Sequence, residues 1–429
     1  MALALAVSGM APLARAQSLA ELYESAKAFD ATYQSAQLQY DANVARAAQA
    51  KAGILPSAAL SAGASRIGLD SSLPANATHY STQNATLSAS QPLYRPANWA
   101  TFSQGQKQVE LARAQFEAAE QDLIVRTSQA YFDVLAAQDT LTFVQAQKAA
   151  VAEQLASAKR NFEVGTSTIT DTREAQARYD LVTAQEIAAD NDLRVKKIAL
   201  DQLAGVTEAK PTPLRAPVSL PPVVPADIGA WVRQSESGHP TIRQAQSGLD
   251  IAELEVTKAE AGHKPTLDAT ASYNVTKNPP SNTSSRLNTS SVGLVFNVPL
   301  FAGFAVQNRV KETLSLRDKA QSDLDGARRS VVQATRTAFL GVQSGQGQVK
   351  ALEAAELSSQ SALEANRLGY QVGVRINIDV LNAQSQLFQT KRDLAQARYN
   401  VLLGGLRLRQ ASGSLSAADL QPINGLLAR

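Results

Sequence analysis

The chain is written twice. Lys51-Ala-Gly-Ile-Leu-Pro56 returns as Glu260-Ala-Gly-His-Lys-Pro265, an offset of 209. Gln91-Pro-Leu-Tyr94 returns as Val298-Pro-Leu-Phe301 and Ala130-Tyr-Phe132 as Thr337-Ala-Phe339, both at 207. Phe162-Glu-Val-Gly165 pairs with Tyr370-Gln-Val-Gly373, Asp171 with Asp379 and Gly205 with Gly413, all at 208. An offset that drifts by so little over half the chain implies one duplicated unit, far longer than the 20–50-residue modules of a solenoid. Pro211, Pro213, Pro217, Pro221, Pro222 and Pro225 forbid a continuous helix between the copies. The expected organisation is a segment 1–16, a first repeat over 17–215 and a second over 216–429. Segment 1–16 reads as the tail of a secretory signal, with an apolar run at its start and a small-residue cleavage site at Ala14-Arg15-Ala16.

Inside each copy the pattern alternates between two periods. In the first, residues 19–53 lack proline and read as one helix, stopped by Gly53 and Pro56. Residues 57–69 and 85–93 alternate with period two, and 70–84 between them reads as a polar loop. Residues 98–163 again lack proline. Phe116, Leu123, Ala130, Ala137, Val144 and Val151 recur every seventh residue. Val134, Leu141, Leu155 and Phe162 form a second such row, interrupted by Lys148. That is coiled-coil spacing. Gly165 breaks it, and a further helix is expected over 171–203. At ~1.5 Å per residue, 98–163 would extend about 100 Å, and 19–53 and 171–203 about 50 Å each, so two short helices end to end could line one long one. Gly341, Gly345 and Gly347 are expected to weaken the long helix of the second copy.

The second copy shows the clearer strands. Leu267, Ala269, Ala271, Tyr273 and Val275 alternate with Asp268, Thr270, Ser272, Asn274 and Thr276. Val292, Leu294, Phe296 and Val298 form the apolar side of a return strand, after a polar loop over 278–289. Strands of about 10 residues cross a bilayer when tilted, and one apolar and one polar face suit a barrel with lipid outside and water inside. Two copies supply four strands, too few to close a membrane barrel. Open edges are not tolerated in lipid, so two, three or four chains must associate.

Composition removes other classes. The formal net charge is +3, which argues against a nucleic-acid binder. Cysteine is absent, which removes disulfides, thiol chemistry and a lipid-bearing N-terminal cysteine. The three histidines, His79, His239 and His263, are scattered and receive no role. No catalytic constellation, metal cluster or phosphate-binding loop appears, so neither an enzyme nor a cofactor is expected. The competing reading is an extracytoplasmic coiled-coil scaffold. It accounts for the heptads, but not for matched alternating strands in both copies.

The motifs then point further. Phe162-Glu-Val-Gly-Thr-Ser-Thr-Ile-Thr-Asp171, Tyr370-Gln-Val-Gly-Val-Arg-Ile-Asn-Ile-Asp-Val-Leu381, Ala130-Tyr-Phe-Asp-Val-Leu135, Gly262-His-Lys-Pro-Thr-Leu-Asp268 and Ala397-Arg-Tyr-Asn400 resemble the TolC family of outer-membrane efflux and secretion ducts, over essentially all of 17–420. The resemblance implies a mainly α protein with membrane β. Its homotrimer would carry a 12-stranded β-barrel in outer-membrane lipid, continuous with an α-helical barrel in the periplasm. It implies a passive duct for type I secretion or multidrug efflux, docked to a periplasmic adaptor and an inner-membrane ABC or proton-driven pump.

It also assigns residues. The turns Val164-Gly165-Thr166 and Val372-Gly373-Val374 would meet the adaptor at the periplasmic tip. Thr170 and Asp171 would link to Tyr370 and Arg375 and hold the entrance closed. The family carries two aspartates one turn apart at the closed tip. Here the first is Asp379, but the second position is Asn382, so one carboxylate ring remains and cation binding should be weak.

Overall fold

The computed structural model describes residues 17–72, 75–215, 217–277 and 285–428. The signal-like segment 1–16 lies outside them, as do residues 278–284 of the 278–289 loop and two residues of the 70–84 loop. The element order is α1 (Leu19–Phe29), α2 (Ala31–Ala52), β1 (Ser57–Ser72), β2 (Ala75–Tyr94), α3 (Pro96–Glu163), α4 (Ile169–Ala204), α5 (Ile228–Gly238), α6 (Pro240–Glu260), β3 (Thr266–Lys277), β4 (Arg286–Asn297), α7 (Ala305–Gln371), α8 (Asn377–Ala411) and α9 (Leu420–Asn424). They fall into two units, one of residues 17–36, 117–240 and 328–428, the other of 37–116 and 241–327.

The second unit holds a single antiparallel sheet in the order β1-β2-β3-β4. Its register joins the apolar alternation of all four strands. Leu60 pairs with Leu87, and Leu87 with Tyr273. Ala58, Ala89, Ala271 and Val292 form the adjacent row, and Ala269 faces Leu294. The alternate rows are polar. Ser88, Ser272 and Ser291 lie side by side, and the last two share a hydroxyl bond of 2.8 Å. Directly opposed residues share a face, so the register makes one side of the sheet predominantly apolar, with Gln91 opposite Ala269, Ser290 opposite Tyr273 and Asn288 opposite Val275 as its polar members. Val292, Leu294 and Phe296 are largely exposed on it. Asp268 is polar yet buried, because Arg95 clamps it bidentately at 2.6 and 2.7 Å. Both edges of the sheet are unpaired among the described residues.

Two loop expectations are corrected. Residues 70–72 and 75–84 belong to the β1–β2 ladder, which runs to Ser72↔Ala75. Residues 286–289 likewise open β4. Backbone pairing needs only N–H and C=O groups, so Ser, Thr and Asn continue a ladder once its register is set.

The long helix of the first copy spans 68 residues and the one of the second 67. Leu123, Val134, Val144, Val151 and Leu155 of the expected rows are buried. Val144, Val151 and Leu155 meet Ala175 and Val182 of α4 and Leu381 of α8 in one core. Lys148, the interruption, reaches Glu186 of α4 at 2.7 Å. A second core joins Trp231 of α5 to Phe339, Val342 and Val349 of α7 and Leu394, Val401 and Leu408 of α8. The three glycines of α7 do not break the helix. Gly345 lies directly under Val401, where a Cβ would approach Cγ2 to 2.9 Å, so helix packing offsets its poor propensity.

The helix expected over 19–53 is two helices. Asp30 ends α1 in an extended conformation, and its carboxylate caps α2 through the Tyr33 N–H at 2.7 Å. Arg126 of α3 holds both of its oxygens, at 2.9 and 3.0 Å. The Arg126 hydrogen bonds keep the Asp30 carboxyl below its usual range despite partial burial. A buried ion pair reached across the fold thus sets a break that no proline or glycine marks.

Gly205 and Gly413, equivalent in the repeat, both end helices with positive φ. At Gly413 a Cβ would lie 2.6 Å from the Cα of His239, a backbone atom that cannot turn aside. Gly413→Ala is expected to cost about 2–4 kcal/mol, from the left-handed backbone and the overpacking together. Gly205→Ala meets Phe29 at Cγ and at Cβ, the latter 2.7 Å away; ring rotation moves neither atom, so a comparable cost of about 2–4 kcal/mol is expected there. Thermal unfolding of the two variants followed by circular dichroism checks both.

Candidate functional site: the two helix-reversal turns

The α3–α4 and α7–α8 reversals are built alike. Gly165 and Gly373 take φ of 79° and 80°. The Thr166 N–H reaches Asn161 O at 2.8 Å and the Gly165 N–H reaches Phe162 O at 3.0 Å. Val374 and Gly373 repeat both bonds to Gly369 and Tyr370, at 2.9 and 3.2 Å. This is the Schellman arrangement, in which a left-handed residue satisfies the last carbonyls of a helix. Above each glycine the space is open, so a side chain there meets only the backbone penalty.

Around these turns apolar side chains point outward. Val164, Val372 and Val374 are 73%, 64% and 75% exposed, and Phe162, Ile169 and Ile376 are also exposed. A helix reversal needs none of these residues for its own geometry. Clustered exposed apolar groups mark interaction surfaces.

Thr168 and Asp171 form a capping box at the start of α4. One Asp171 oxygen accepts from Ser167 Oγ at 2.7 Å, Thr168 Oγ1 at 2.9 Å and the Thr168 N–H at 3.0 Å. Burial raises the pKa of this carboxyl, but these bonds outweigh it and hold the group below its ordinary value. Asp171, Tyr370, Arg375, Thr166 and Gly373 line one cavity of about 800 Å³. Thr170 and Asp379 are not among its walls, and Asn382 lines a neighbouring cavity.

Among the described residues no bond joins Tyr370 to Asp171 or Arg375 to Thr170 within the chain. The Tyr370 hydroxyl accepts from Asn161 Nδ2 at 3.4 Å. Arg375 lies 3.7 Å from Asp379, one turn along α8. Asn382 accepts from Arg178 of α4 at 2.9 Å.

A further tie between the helix pairs runs through a residue that the motif reading passed over. Asn377, the first residue of α8, is fully buried. Its Nδ2 donates to the Asp171 carbonyl at 3.2 Å, and its Oδ1 accepts from Gln154 Nε2 of α3. One side chain therefore bonds α3, α4 and α8 together. Gln384, one heptad later, is also buried, and its Oε1 has no partner. A sequence signal existed. Asn377, Val380, Gln384 and Leu387 follow the spacing of a buried stripe, and amides there stand where apolar residues belong.

Comparison with known proteins agrees with this architecture. The sequence profile of a family described as outer membrane efflux protein matches residues 22–206 and again 231–414. The chain is 34% identical over 413 residues to the outer membrane protein TolC of Vibrio cholerae serotype O1, covering 95% of this chain and 93% of that one. It is 32% identical over 345 residues to the alkaline protease secretion protein AprF of Pseudomonas aeruginosa, covering 80% and 72%. The crystal structure of the outer membrane protein VceC from Vibrio cholerae shares the fold, with a TM-score of 0.80 at 18% identity over 92% of this chain and 96% of that one. TolC-family channels form trimers, and three four-stranded sheets make twelve strands with no free edge. The scaffold reading is set aside. The chain belongs to the outer membrane efflux protein family, as a non-enzymatic TolC-type channel of the outer membrane with a periplasmic extension.

Proposed function

We propose that three copies of this chain form the exit duct of a tripartite type I secretion or multidrug efflux assembly, docked to a periplasmic adaptor and an inner-membrane pump. The single observation that carries the reading is the pair of matched Schellman turns, with an exposed valine before Gly165 and exposed valines on either side of Gly373. Val164, Gly165, Thr166, Val372, Gly373 and Val374 are assigned to the adaptor contact. Thr170, Asp171, Tyr370, Arg375, Asp379 and Asn382 are assigned to the gate. The first four, whose side chains are not bonded to one another within the chain, would act between copies, and Asp379 would repel its own copies across the three-fold axis. The two profile matches support the division into repeats 17–215 and 216–429. A relative named for alkaline protease secretion supports a protein cargo.

The test is export by a strain that carries the variant as its sole copy. Gly373→Asp keeps a residue type that tolerates positive φ and meets no neighbour, so trimers should assemble normally. Export is expected to fall below about a tenth of the parent, because a desolvated charge in an apolar contact costs more than one factor of ten. Normal export by such a trimer would remove this turn from the contact.

A further inference from the structure

A cavity of about 430 Å³ opens where α3, α4 and α8 meet. Its walls carry two arginines, Arg178 of α4 and Arg392 of α8, and among the described residues no carboxylate. Arg178 bonds to the Asn382 amide oxygen at 2.9 Å. Arg392 bonds to the amide oxygens of Gln147 at 3.3 Å and Gln389 at 2.7 Å. Three other arginines of the same unit find acids, Arg126 with Asp30 at 2.9 Å, Arg398 with Glu353 at 2.9 Å and Arg409 with Asp419 at 2.8 Å, whereas Arg407 bonds the Gln129 amide at 2.9 Å.

The contrast is chemical. An amide oxygen accepts a hydrogen bond but carries no net charge, so neither guanidinium meets a carboxylate at the cavity wall. Each guanidinium has five N–H donors, and Arg178 and Arg392 spend few of theirs inside the chain. Burial pulls Arg392 below its ordinary pKa, and only the field of Asp393 opposes this. Asp393 itself is engaged by the Gln389 amide at 2.7 Å. Asn382, Ser385, Gln389 and Arg392 recur with one-face spacing on α8, so the polar patch is a stripe and not a scatter. Donors without an anion, in a space large enough for one, are the usual complement of a planar or tetrahedral oxyanion.

We propose that this cavity is an anion site, in which Arg178 and Arg392 hold a carboxylate- or phosphate-bearing oxyanion between α4 and α8. The bound anion bridges one helix of each pair, so it braces them against separation. The site shares Asn382, the partner of Arg178, with the gate assignment and is independent of the adaptor assignments.

The test uses the full chain in detergent, with inorganic phosphate and citrate as probes, titrated by calorimetry at constant ionic strength. One saturable site per chain is expected. Arg178→Gln and Arg392→Gln should each weaken binding at least about tenfold, since each removes a charge-assisted bond, and the double variant should bind neither probe. Arg392→Lys should retain part of the affinity, as it keeps the charge and loses the fork. The ratio of phosphate to citrate affinity distinguishes the two chemistries. A second measurement needs no variant: phosphate should slow phenylglyoxal labelling of Arg178 and Arg392 in the parent, read by mass spectrometry, and leave Arg194, which pairs with Asp190 at 2.8 Å, unchanged. If the parent binds neither probe, as when a carboxylate of a neighbouring copy fills the cavity, the proposal falls. It falls equally if the double variant binds as the parent does, or if labelling of the two arginines is indifferent to phosphate.

Discussion

Lysine in place of Ala271 is expected to destabilise the barrel by about 2–4 kcal/mol, the cost of a cation at mid-membrane on a lipid-facing side. Ala271 lies near the middle of β3, in a row with Ala58, Ala89 and Val292. Its neighbours along the strand on that face are Ala269, opposite Leu294, and Tyr273, opposite Leu87. The row of Ala271 holds no acid or amide that could receive the charge; the nearest amide on this face is Gln91, opposite Ala269, whose Nε2 donates to the Ile54 and Pro92 carbonyls. Lysine at Ser272 enters the row of Ser88 and Ser291 and should change stability by less than about 1 kcal/mol, because a lumen-side cation stays in water. The comparison is made between adjacent residues of one strand, so expression and strand propensity cancel. Urea titration of refolded trimers in vesicles, followed by tryptophan fluorescence, measures both. Equal tolerance at the two positions would contradict an apolar face turned to lipid.

The second large effect is expected at the gate. Removal of the Asn377 amide, as Asn377→Ala, deletes two bonds that join α8 to α3 and α4. Each is worth about 1 kcal/mol net in the closed arrangement. Two bonds in each of three copies amount to roughly 6 kcal/mol if the helices move together. Asn377→Ala is therefore expected to raise the open probability in planar bilayers by more than about a hundredfold. Tyr370→Phe with Arg375→Ser should also raise conductance, but by less. Within the chain Tyr370 makes one long bond to Asn161, and Arg375 is largely exposed beside Asp379. Thermal unfolding of the variants separates a released gate from a loosened fold. If Asn377→Ala unfolds as the parent and conducts as the parent, Asn377 is a packing residue and the gate rests on contacts between copies.

Periodicity was informative wherever one face of an element is buried. The seven-residue rows of α3 put Leu123, Val144 and Val151 inside. The two-residue alternation of β3 matched the register that pairs Ala271 with Ala89 and Val292. The rows failed at their ends. Phe162 continues a buried row yet is exposed, because the helix stops one residue later. Polar loops were overextended for a related reason: side-chain polarity reports solvent, and not whether the backbone is still paired.

The duplication, the α/β order, the membrane-type strands and the two Val-Gly reversals were settled by the sequence alone, because each depends on spacing between near neighbours. The break at Asp30, the Asn377 tie and the arginine cavity were decided only by the tertiary structure. In each of these a polar side chain takes its meaning from a partner far along the chain: Arg126 for Asp30, Gln154 for Asn377, and an absent carboxylate for Arg178 and Arg392. A heptad says which face of a helix turns inward. Which hydrogen bond or charge waits there depends on how the helices are brought together, and that information is not local.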